Sequence, residues 1–275
     1  MVGEIHATLE VDMTDRPTVK VVIAVPNEGH TLPEAYDNRM LWSIHLGGLA
    51  ERSKHEPVTT DGAILEFYHF TAGRLLTPAA REALADHALQ QGMDYMLMVD
   101  DDMICPLDMF ERLYNHNVDV VAPLAFTRNA PHYAVIYQCE SGHDPVAKQD
   151  YFINHYARNY PENQLVQCDA VGFGAALIKM DVIRKMRRPY FMSTCGTGED
   201  VLFCYNAQRQ ANAKIYMDTS VKLGHLSHPR VIDEDYAKWW WETYEKKDIK
   251  REYTPFRKPE ELVGSTTPVG GVQNV

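Results

Sequence analysis

The stretch "MLMVDDDMI", residues 96–104, joins an apolar run to three consecutive aspartates, Asp100 to Asp102. The apolar half predicts a buried strand. Three carboxylates this close repel one another unless solvent or a counter-charge neutralises them. A hard divalent cation, Mg²⁺ or Mn²⁺, would do so because it prefers oxygen ligands. The alternative is a solvated turn or the first turn of a helix, where aspartate is also favoured.

The segments around this stretch alternate between strand and helix patterns. Predicted strands lie at 18–25, 63–70, 94–100 and 118–126, and predicted helices at 31–49, 77–92 and 106–117. This order predicts an α/β fold with a mostly parallel sheet, and ligands bind such sheets beyond the carboxyl ends of the strands. The aspartates occupy that position, which favours the metal interpretation. Because alternate side chains of an extended segment point the same way, Asp100 and Asp102 are expected to face one site while Asp101 points elsewhere.

The second half of the chain has a less regular pattern. Its predicted elements are a strand at 132–140, a polar and aromatic loop at 141–165, a strand followed by a helix at 168–186, a helix at 198–213 and a short strand within 214–229. The tail from residue 264 is rich in Gly, Ser and Pro and is expected to be mobile.

Composition limits the class of protein. The chain has 275 residues, 45% of them apolar, and a formal net charge of −11 at pH 7. This charge argues against broad binding to nucleic acid or anionic membranes. The five cysteines are irregularly spaced and form no CxxC pair, as is typical of free thiols in a reducing compartment. No apolar run is long enough to span a membrane, so the sequence predicts a soluble cytoplasmic protein and leaves its oligomeric state open.

Four segments carry a resemblance to a known family. They are "TAGRLLTPAARE" (71–82), "DYMLMVDDDM" (94–103), "VGFGAALIKMDVI" (171–183) and "GTGEDVLFCYNAQRQANAKIYMDTSVKLGHLSH" (196–228). In this order they resemble the GT-A-fold nucleotide-sugar glycosyltransferases, and most closely glycosyltransferase family 2. The resemblance implies a GT-A-like, Rossmann-like fold, in which helices flank the mostly parallel sheet. The aromatic-rich loop and a C-terminal helical extension would be added to it.

The resemblance also divides the chain. Residues 1–17 would form an N-terminal extension and residues 18–230 the glycosyltransferase domain. Within that domain, 18–126 would be the nucleotide-sugar and metal half and 127–230 the acceptor half. A C-terminal helical segment at 231–263 and a flexible tail at 264–275 would follow.

The activity implied by the resemblance is metal-dependent transfer of a sugar from a nucleoside diphosphate sugar to a hydroxyl acceptor, with inversion. A UDP-sugar is the expected donor. Mn²⁺ or Mg²⁺ would be the cofactor, because a cation stabilises the departing diphosphate. Asp102 would bind the metal, and Asp100 would share it or contact the ribose. His225 would complete the metal site, with His228 as the competing histidine.

The resemblance also implies a catalytic base. Asp200, with Glu199 beside it, would accept the proton of the acceptor hydroxyl. The alternative is that the two acids only stabilise the start of a helix.

The remaining site residues implied by the resemblance belong to the donor and acceptor sides. Those on the donor side are Pro26, Asn27, Glu28, Arg74, Asp100 and Asp101, and those on the acceptor side are Gly172, Phe173, Gly174 and Trp240. The segment after the first strand lacks the Tyr-Asn-Glu type of turn common in family 2, so the nucleobase stays open. For the run Trp239–Trp241, packing of a C-terminal helix against the core is favoured over an acceptor platform.

Three other functions remain open at this point. They are a retaining GT-A glycosyltransferase, a metal-dependent phosphohydrolase built on the aspartate cluster, and a non-catalytic nucleotide-sugar binding protein. The acceptor could be a glycan, a protein, a lipid head group, a small molecule or a modified nucleobase in nucleic acid.

Overall fold

A computed structural model describes residues 16–27, 32–144, 148–194, 196–227 and 230–244. Several predictions therefore concern residues outside the described ranges: the N-terminal extension up to residue 15, Glu28 as a donor residue, His228 as a metal ligand, the C-terminal segment beyond residue 244 and the mobile tail from residue 264.

The secondary structure begins with a strand and alternates with helices through the first half. The elements in chain order are β1 (Thr18–Asn27), α1 (Pro33–Ser53), β2 (Ile64–Gly73), α2 (Thr77–Gln90), β3 (Tyr95–Val99), β4 (Met103–Ile104), α3 (Met109–Asn115), β5 (Val120–Leu124), β6 (Ile136–Asp144), β7 (Gln149–Tyr156), β8 (Leu165–Cys168), β9 (Ala170–Val171), β10 (Ala175–Lys179), α4 (Met180–Lys185), α5 (Glu199–Ala211), β11 (Ile215–Lys222), β12 (Gly224–Ser227), β13 (Arg230–Ile232) and α6 (Glu234–Tyr244).

The central sheet has seven described strands in the order β2-β1-β3-β10-β5-β11-β8. The strands β2, β1 and β3 are parallel, and so are β5 and β11. The strand β10 runs antiparallel between β3 and β5, and β8 runs antiparallel beside β11. The predicted α/β class, with a mainly parallel sheet flanked by helices, is confirmed.

Helices cover both faces of this sheet. Trp42 of α1 and Phe110 of α3 are fully buried against one face, and Leu84 of α2 and Phe203 of α5 against the other. The segment Val21–Val25 is buried along its whole length, which explains why it is apolar without alternation. The strands are thereby fixed, and their carboxyl ends can present polar residues at one edge.

The predicted aromatic-rich loop at 141–165 is wrong in its first part. The strands β6 and β7 form an antiparallel hairpin in which Tyr137 pairs with Tyr156, and β6 also pairs with β9. The hairpin shows no simple alternation because aromatic side chains on different residues pack against different neighbours. Phe152 contacts Tyr205 of α5, for example, whereas Tyr156 stacks on Tyr133.

Among the described residues, no helix has both the length and the apolar composition that a membrane span needs.

Candidate functional site

A cleft of about 570 Å³ opens at the sheet edge where β3 and β5 end. Its walls come from the residues after β3, the loop after β5, the turn before β10, the start of α5, and β12. The principal lining residues are Arg81, Asp100, Phe126, Arg128, Pro131, Tyr133, Tyr156, Gly172, Phe173, Gly174, Glu199, Asp200 and His225. Asp100, Glu199, Asp200 and His225, predicted from distant parts of the sequence, thus lie around one cavity.

The centre of this cleft is held by a buried arginine, Arg81 of α2, which is only 3% exposed. Its Nη2 donates to both carboxylate oxygens of Asp100, at 2.7 and 2.9 Å, and to the carbonyl of Phe173 at 3.1 Å. Its Nη1 donates to Glu199 Oε1 at 2.6 Å. Burial works against the charge, but the carboxylates of Asp100, Glu199 and Asp200 raise the pKa of Arg81 overall. The guanidinium therefore remains charged and ties the end of β3 to the start of α5.

Arg81 was missed by sequence reasoning, which chose Arg74 from the same segment. A signal was present, because Arg81 lies on the buried stripe of α2 with Leu84, Ala85 and Ala88. An arginine on the apolar face of a helix needs buried carboxylate partners.

Arg81 pairs with Asp100, but the surroundings of Asp100 still disfavour a negative charge. Burial raises its pKa to about 6, against the lowering effect of Arg81, and the charges of Asp102 and Glu199 add to the rise. Each oxygen of Asp100 accepts one hydrogen bond from Arg81, which leaves a further lone pair on each for a ligand in the cleft.

Asp102 has different partners, His225 of β12 and Arg128. Asp102 Oδ2 lies 3.2 Å from His225 Nε2 and 3.2 Å from Arg128 Nη1. Burial works to raise the pKa of Asp102, but the hydrogen bond with His225 and the charges of His225 and Arg128 lower it overall. Asp102 is thus held as a carboxylate beside the cleft.

The orientation of His225 bears on whether a cation fits here. Its Nδ1 lies 2.7 Å from the carbonyl of Phe126, which can only accept, so Nδ1 carries a proton. In the neutral ring Nε2 is then a lone pair facing the Asp102 carboxylate, and two such acceptors need a proton or a cation between them. A backbone carbonyl that fixes the ring in this way is typical of metal-binding histidines.

The spacing of the two groups also fits a cation. Two ligands at right angles, each about 2.1 Å from an ion, are about 3 Å apart, close to the 3.2 Å between Asp102 and His225. Within the part of the chain that the structure describes, no group of three His, Cys, Asp or Glu side chains forms a metal cluster. A cation between Asp102 and His225 would therefore have two protein ligands and would complete its coordination with substrate oxygens and water.

Glu199 and Asp200 begin α5 and also line the cleft. Glu199 is held by Arg81, whereas Asp200 Oδ1 accepts the backbone N–H of Val201 at 2.8 Å. Burial raises the pKa of Asp200 and the charge of Glu199 adds to it, while Arg81 lowers it. The two interpretations of the acids are therefore compatible, because Asp200 bonds the first turn of the helix and also faces the cavity.

The glycine-rich turn before β10 supports Asp100 through its backbone. The carbonyl of Gly174 accepts the N–H of Asp100 at 2.8 Å. A Cβ at Gly172 would lie 2.7 Å from the Cβ of Val135, so only glycine permits this approach. Phe173 is buried and packs on Phe191 and Phe203.

The predicted donor residues of the first two strands lie at neighbouring strand ends. The backbone N–H of Arg74, just beyond β2, donates to the carbonyl of Asn27 at the end of β1, at 3.0 Å. Pro26 precedes Asn27 on the same strand. Asn27 lines a second groove, of about 380 Å³, between α1 and β2. The donor roles of these residues stay predictions.

The three tryptophans of α6 pack in different ways. Trp241 donates from Nε1 to the carbonyl of Pro131 at 2.6 Å, and its ring lies 5.9 Å from that of Phe126. Trp240 lies edge-on to His132 at 5.7 Å. The helix therefore supports the loop at 126–132, which carries Arg128 into the cleft. Whether Trp240 also contacts an acceptor stays a prediction.

Comparison with known proteins adds a likeness of fold. The chain matches no family model, and no curated protein matches it. The crystal structure of A197 from STIV is similar at 18% identity and a TM-score of 0.50, covering 80% of this chain and 92% of that one. This likeness is to the fold alone.

Two further solved structures are enzymes of nucleotide sugars. GalNAc-T7 with UDP, GalNAc and Mn²⁺ is 13% identical with a TM-score of 0.38, covering 78% of this chain and 44% of that one. Apo UDP-glucose pyrophosphorylase is 8% identical with a TM-score of 0.41, covering 84% of this chain and 100% of that one. These TM-scores are too low for an argument about chemistry.

Proposed function

We propose that the chain is a metal-dependent glycosyltransferase. It moves a sugar from a nucleoside diphosphate sugar, with a UDP-sugar as the expected donor, to a hydroxyl acceptor with inversion. The observation that carries the proposal is the approach of Asp102 to His225, 3.2 Å apart, from segments 123 residues apart in sequence. This pair lies beside a cleft that His225 and Asp200 both line. A cation ligand pair and a separate carboxylate are what this transfer requires.

Asp102 and His225 would hold the cation. A bound Mn²⁺ or Mg²⁺ would stabilise the negative charge that builds on a departing diphosphate, and a histidine ligand suits Mn²⁺ better than Mg²⁺. Arg128, which contacts Asp102 at 3.2 Å, adds positive charge on the same side. Asp100 is the candidate for a ribose contact rather than for the metal, because Arg81 already binds both its oxygens.

Asp200 would accept the proton of the acceptor hydroxyl. Its raised pKa makes it a stronger base than an ordinary aspartate, which suits proton transfer near neutral pH. Glu199 is less suited because Arg81 holds it in an ion pair. For an inverting reaction this base would have to reach the acceptor on the face of the sugar away from the departing diphosphate.

A phosphohydrolase on the aspartate cluster is disfavoured. Two-metal hydrolysis needs ligands for two adjacent cations, whereas Asp100 is paired with Arg81 and only Asp102 and His225 face each other at a spacing that suits a cation. A non-catalytic nucleotide-sugar binder differs from the proposal only in turnover, which the experiment below measures.

The test begins with the donor. Melting temperatures of the full chain are measured with a panel of nucleotide sugars, with Mn²⁺ and with EDTA, because a true donor stabilises the folded state by linkage. The stabilising donor is then assayed for transfer to glycan, small-molecule, lipid and protein acceptors, and the anomeric configuration of the product is read by NMR.

Asp200→Asn separates binding from chemistry. We expect it to keep the donor-induced melting shift and to lose transfer by about 10²-fold or more, the typical contribution of a general base. Asp181→Asn, at an acid on α4 that is 71% exposed, is the matched control and should transfer normally. Equal loss of binding and transfer, or a product with retained configuration, would show that Asp200 is not the base of an inverting reaction.

A further inference from the structure

Arg128 pairs with the carboxylate oxygen through which Asp102 would bind a cation. Arg128 Nη1 lies 3.2 Å from Asp102 Oδ2, and His225 Nε2 lies 3.2 Å from the same oxygen. A guanidinium only donates hydrogen bonds, and it keeps its charge at any pH at which a protein is folded. Arg128 and a metal ion are therefore two positive charges with a claim on one oxygen.

A cation and Arg128 cannot both hold this oxygen closely. Ions of this class bind carboxylate oxygens at about 2.1 Å, which would place the ion within about 5 Å of the guanidinium nitrogen. Two positive charges at this separation repel each other, and the Asp102 side chain is only 18% exposed, so solvent weakens the repulsion incompletely. Binding of the cation should therefore displace Arg128 from Asp102.

The Arg128 side chain can withdraw while the backbone beneath it stays in place. The side chain is 57% exposed, and an ion pair this exposed contributes little to stability. The loop that carries it is closed at its base, where Phe126 pairs with Ala134 as an isolated bridge. The N–H of Thr127 also donates to the carbonyl of Tyr133 at 3.0 Å. A change of side-chain conformation is therefore enough to break the contact with Asp102.

A diphosphate in the cleft would give Arg128 a new partner. Among the described residues that line the cleft, the arginines are Arg81 and Arg128. Arg81 is 3% exposed and is held between Asp100 and Glu199. Arg128 lines the same cleft with most of its side chain exposed, and a guanidinium binds two phosphate oxygens at once. Arg128 is thus the arginine of the cleft that can exchange a carboxylate for a phosphate.

We propose that Arg128 competes with the cation for Asp102 and passes to the diphosphate of the donor when the cation binds. This inference rests on the proposed metal-dependent transfer and adds a coupling between its two ligands. The diphosphate would stabilise Arg128 away from Asp102, so the nucleotide raises the affinity for the cation. By linkage, the cation raises the affinity for the nucleotide by the same factor.

The first test measures binding of Mn²⁺ alone, from the free Mn²⁺ signal in electron paramagnetic resonance. Arg128→Met should bind Mn²⁺ at least about fivefold more tightly than the wild type, the low end of typical couplings between ligands. Arg188→Met is the matched control, because Arg188 is 60% exposed and also pairs with carboxylates, those of Glu82 and Asp86. This control loses the same charge and should bind Mn²⁺ as the wild type does.

The second test repeats these titrations with UDP, GDP, CDP and ADP. Each nucleotide binds the same amount of Mn²⁺ in every sample, so differences between variants report the protein. A nucleotide that fits the site should raise the affinity of the wild type for Mn²⁺, and this gain should be about fivefold smaller in Arg128→Met. Arg128→Lys keeps a charge for Asp102 but meets phosphate only as a point charge. It should bind Mn²⁺ alone like the wild type and show a reduced gain.

The outcomes separate this inference from the function on which it rests. Binding of Mn²⁺ that requires Asp102 but is equal in the wild type and Arg128→Met would overturn the competition and leave the proposed function standing. Tighter binding in Arg128→Met, with no nucleotide gain in the wild type or with an unchanged gain in the variant, would overturn the passage to the diphosphate. A wild type that binds no Mn²⁺, with or without nucleotide, would overturn the metal-dependent function and this inference together.

Discussion

Asp100 and Asp102 are two residues apart in sequence and lie in opposite electrostatic surroundings. Asp100 is enclosed by Arg81, with both oxygens bonded, and burial raises its pKa to about 6. Asp102 faces a histidine nitrogen and an arginine at the cleft, and its pKa is lowered despite burial. The difference indicates that Arg81 holds Asp100 in the framework of the site, whereas Asp102 lies beside a histidine with which it could share a cation.

The largest expected effect is on stability, when Arg81, the partner of Asp100, is replaced. Arg81→Met leaves Asp100 and Glu199 buried without their shared partner, and loss of one member of a buried ion pair costs about 3–5 kcal/mol. We expect a corresponding fall in the free energy of unfolding, measured with urea. Arg188→Met, which removes an arginine that pairs with Glu82 and Asp86 at the surface, should change it little.

A compensating variant sharpens this prediction. Adding Asp100→Asn and Glu199→Gln to Arg81→Met removes the stranded charges, so much of the lost stability should return. A triple variant as unstable as Arg81→Met alone would mean that Arg81 acts through packing rather than through charge.

The next largest effect concerns the binding of Mn²⁺ at Asp102. Asp102→Asn should weaken binding of Mn²⁺ in the presence of UDP by about 100-fold or more, because even outer partners of metal ligands cost 10–100-fold. Asp100→Asn should keep most of the affinity for Mn²⁺ while altering stability. Free Mn²⁺ measured by electron paramagnetic resonance distinguishes the two. Similar losses in both variants would abolish the distinction between the two aspartates.

The residues of the site were not equally predictable from the sequence. The strand β3 and the carboxylates after it follow from an apolar run that ends in acids, and their place at the sheet edge follows from strand order. Arg81 and Glu199 are 118 residues apart, and no local pattern joins them. The same holds for His225, whose pairing with Asp102 depended on resemblance rather than on spacing.

The fold shows a similar division. The alternation of the first half predicted β1, β2 and β3 with their helices, because each buried strand and amphipathic helix has its own local signal. That β10 enters antiparallel between β3 and β5 has no such signal. The predicted strand at 132–140 overlaps β6, but its partner β7 escaped prediction because the aromatic side chains of the hairpin pack on both faces.

A smaller effect tests whether the surroundings of Asp102 depend on the packing of α6. Trp241→Phe removes the N–H that donates to Pro131 while keeping most of the ring, at a cost of about 1 kcal/mol. Because this loop carries Arg128 to Asp102, we also expect a higher KM for the donor. Trp239→Phe, at a ring that is 48% exposed, is the control and should leave both unchanged. An unchanged KM in Trp241→Phe would separate α6 from the cleft.

The smallest effect comes from a second aspartate–histidine contact, far from the cleft, in which Asp218 Oδ2 lies 2.7 Å from His116 Nε2. Burial works to raise the pKa of Asp218, but hydrogen bonds from His116 and Ser220 lower it overall. The folded protein then binds this proton less tightly than the unfolded chain, where aspartate titrates near about 3.9. The stability it contributes is therefore present above that pH and is lost as the pH falls through the folded-state pKa.

Asp218→Asn should accordingly flatten the loss of stability below about pH 4, read as urea midpoints across a pH series. Asp181→Asn, at an exposed acid, should follow the wild-type curve. Mn²⁺ should leave the difference between Asp218→Asn and the wild type unchanged, because neither Asp218 nor His116 lines the cleft. If Mn²⁺ did change that difference, an aspartate beside a histidine would be enough to respond to the cation. The position of Asp102 at the cleft would then not be what distinguishes it.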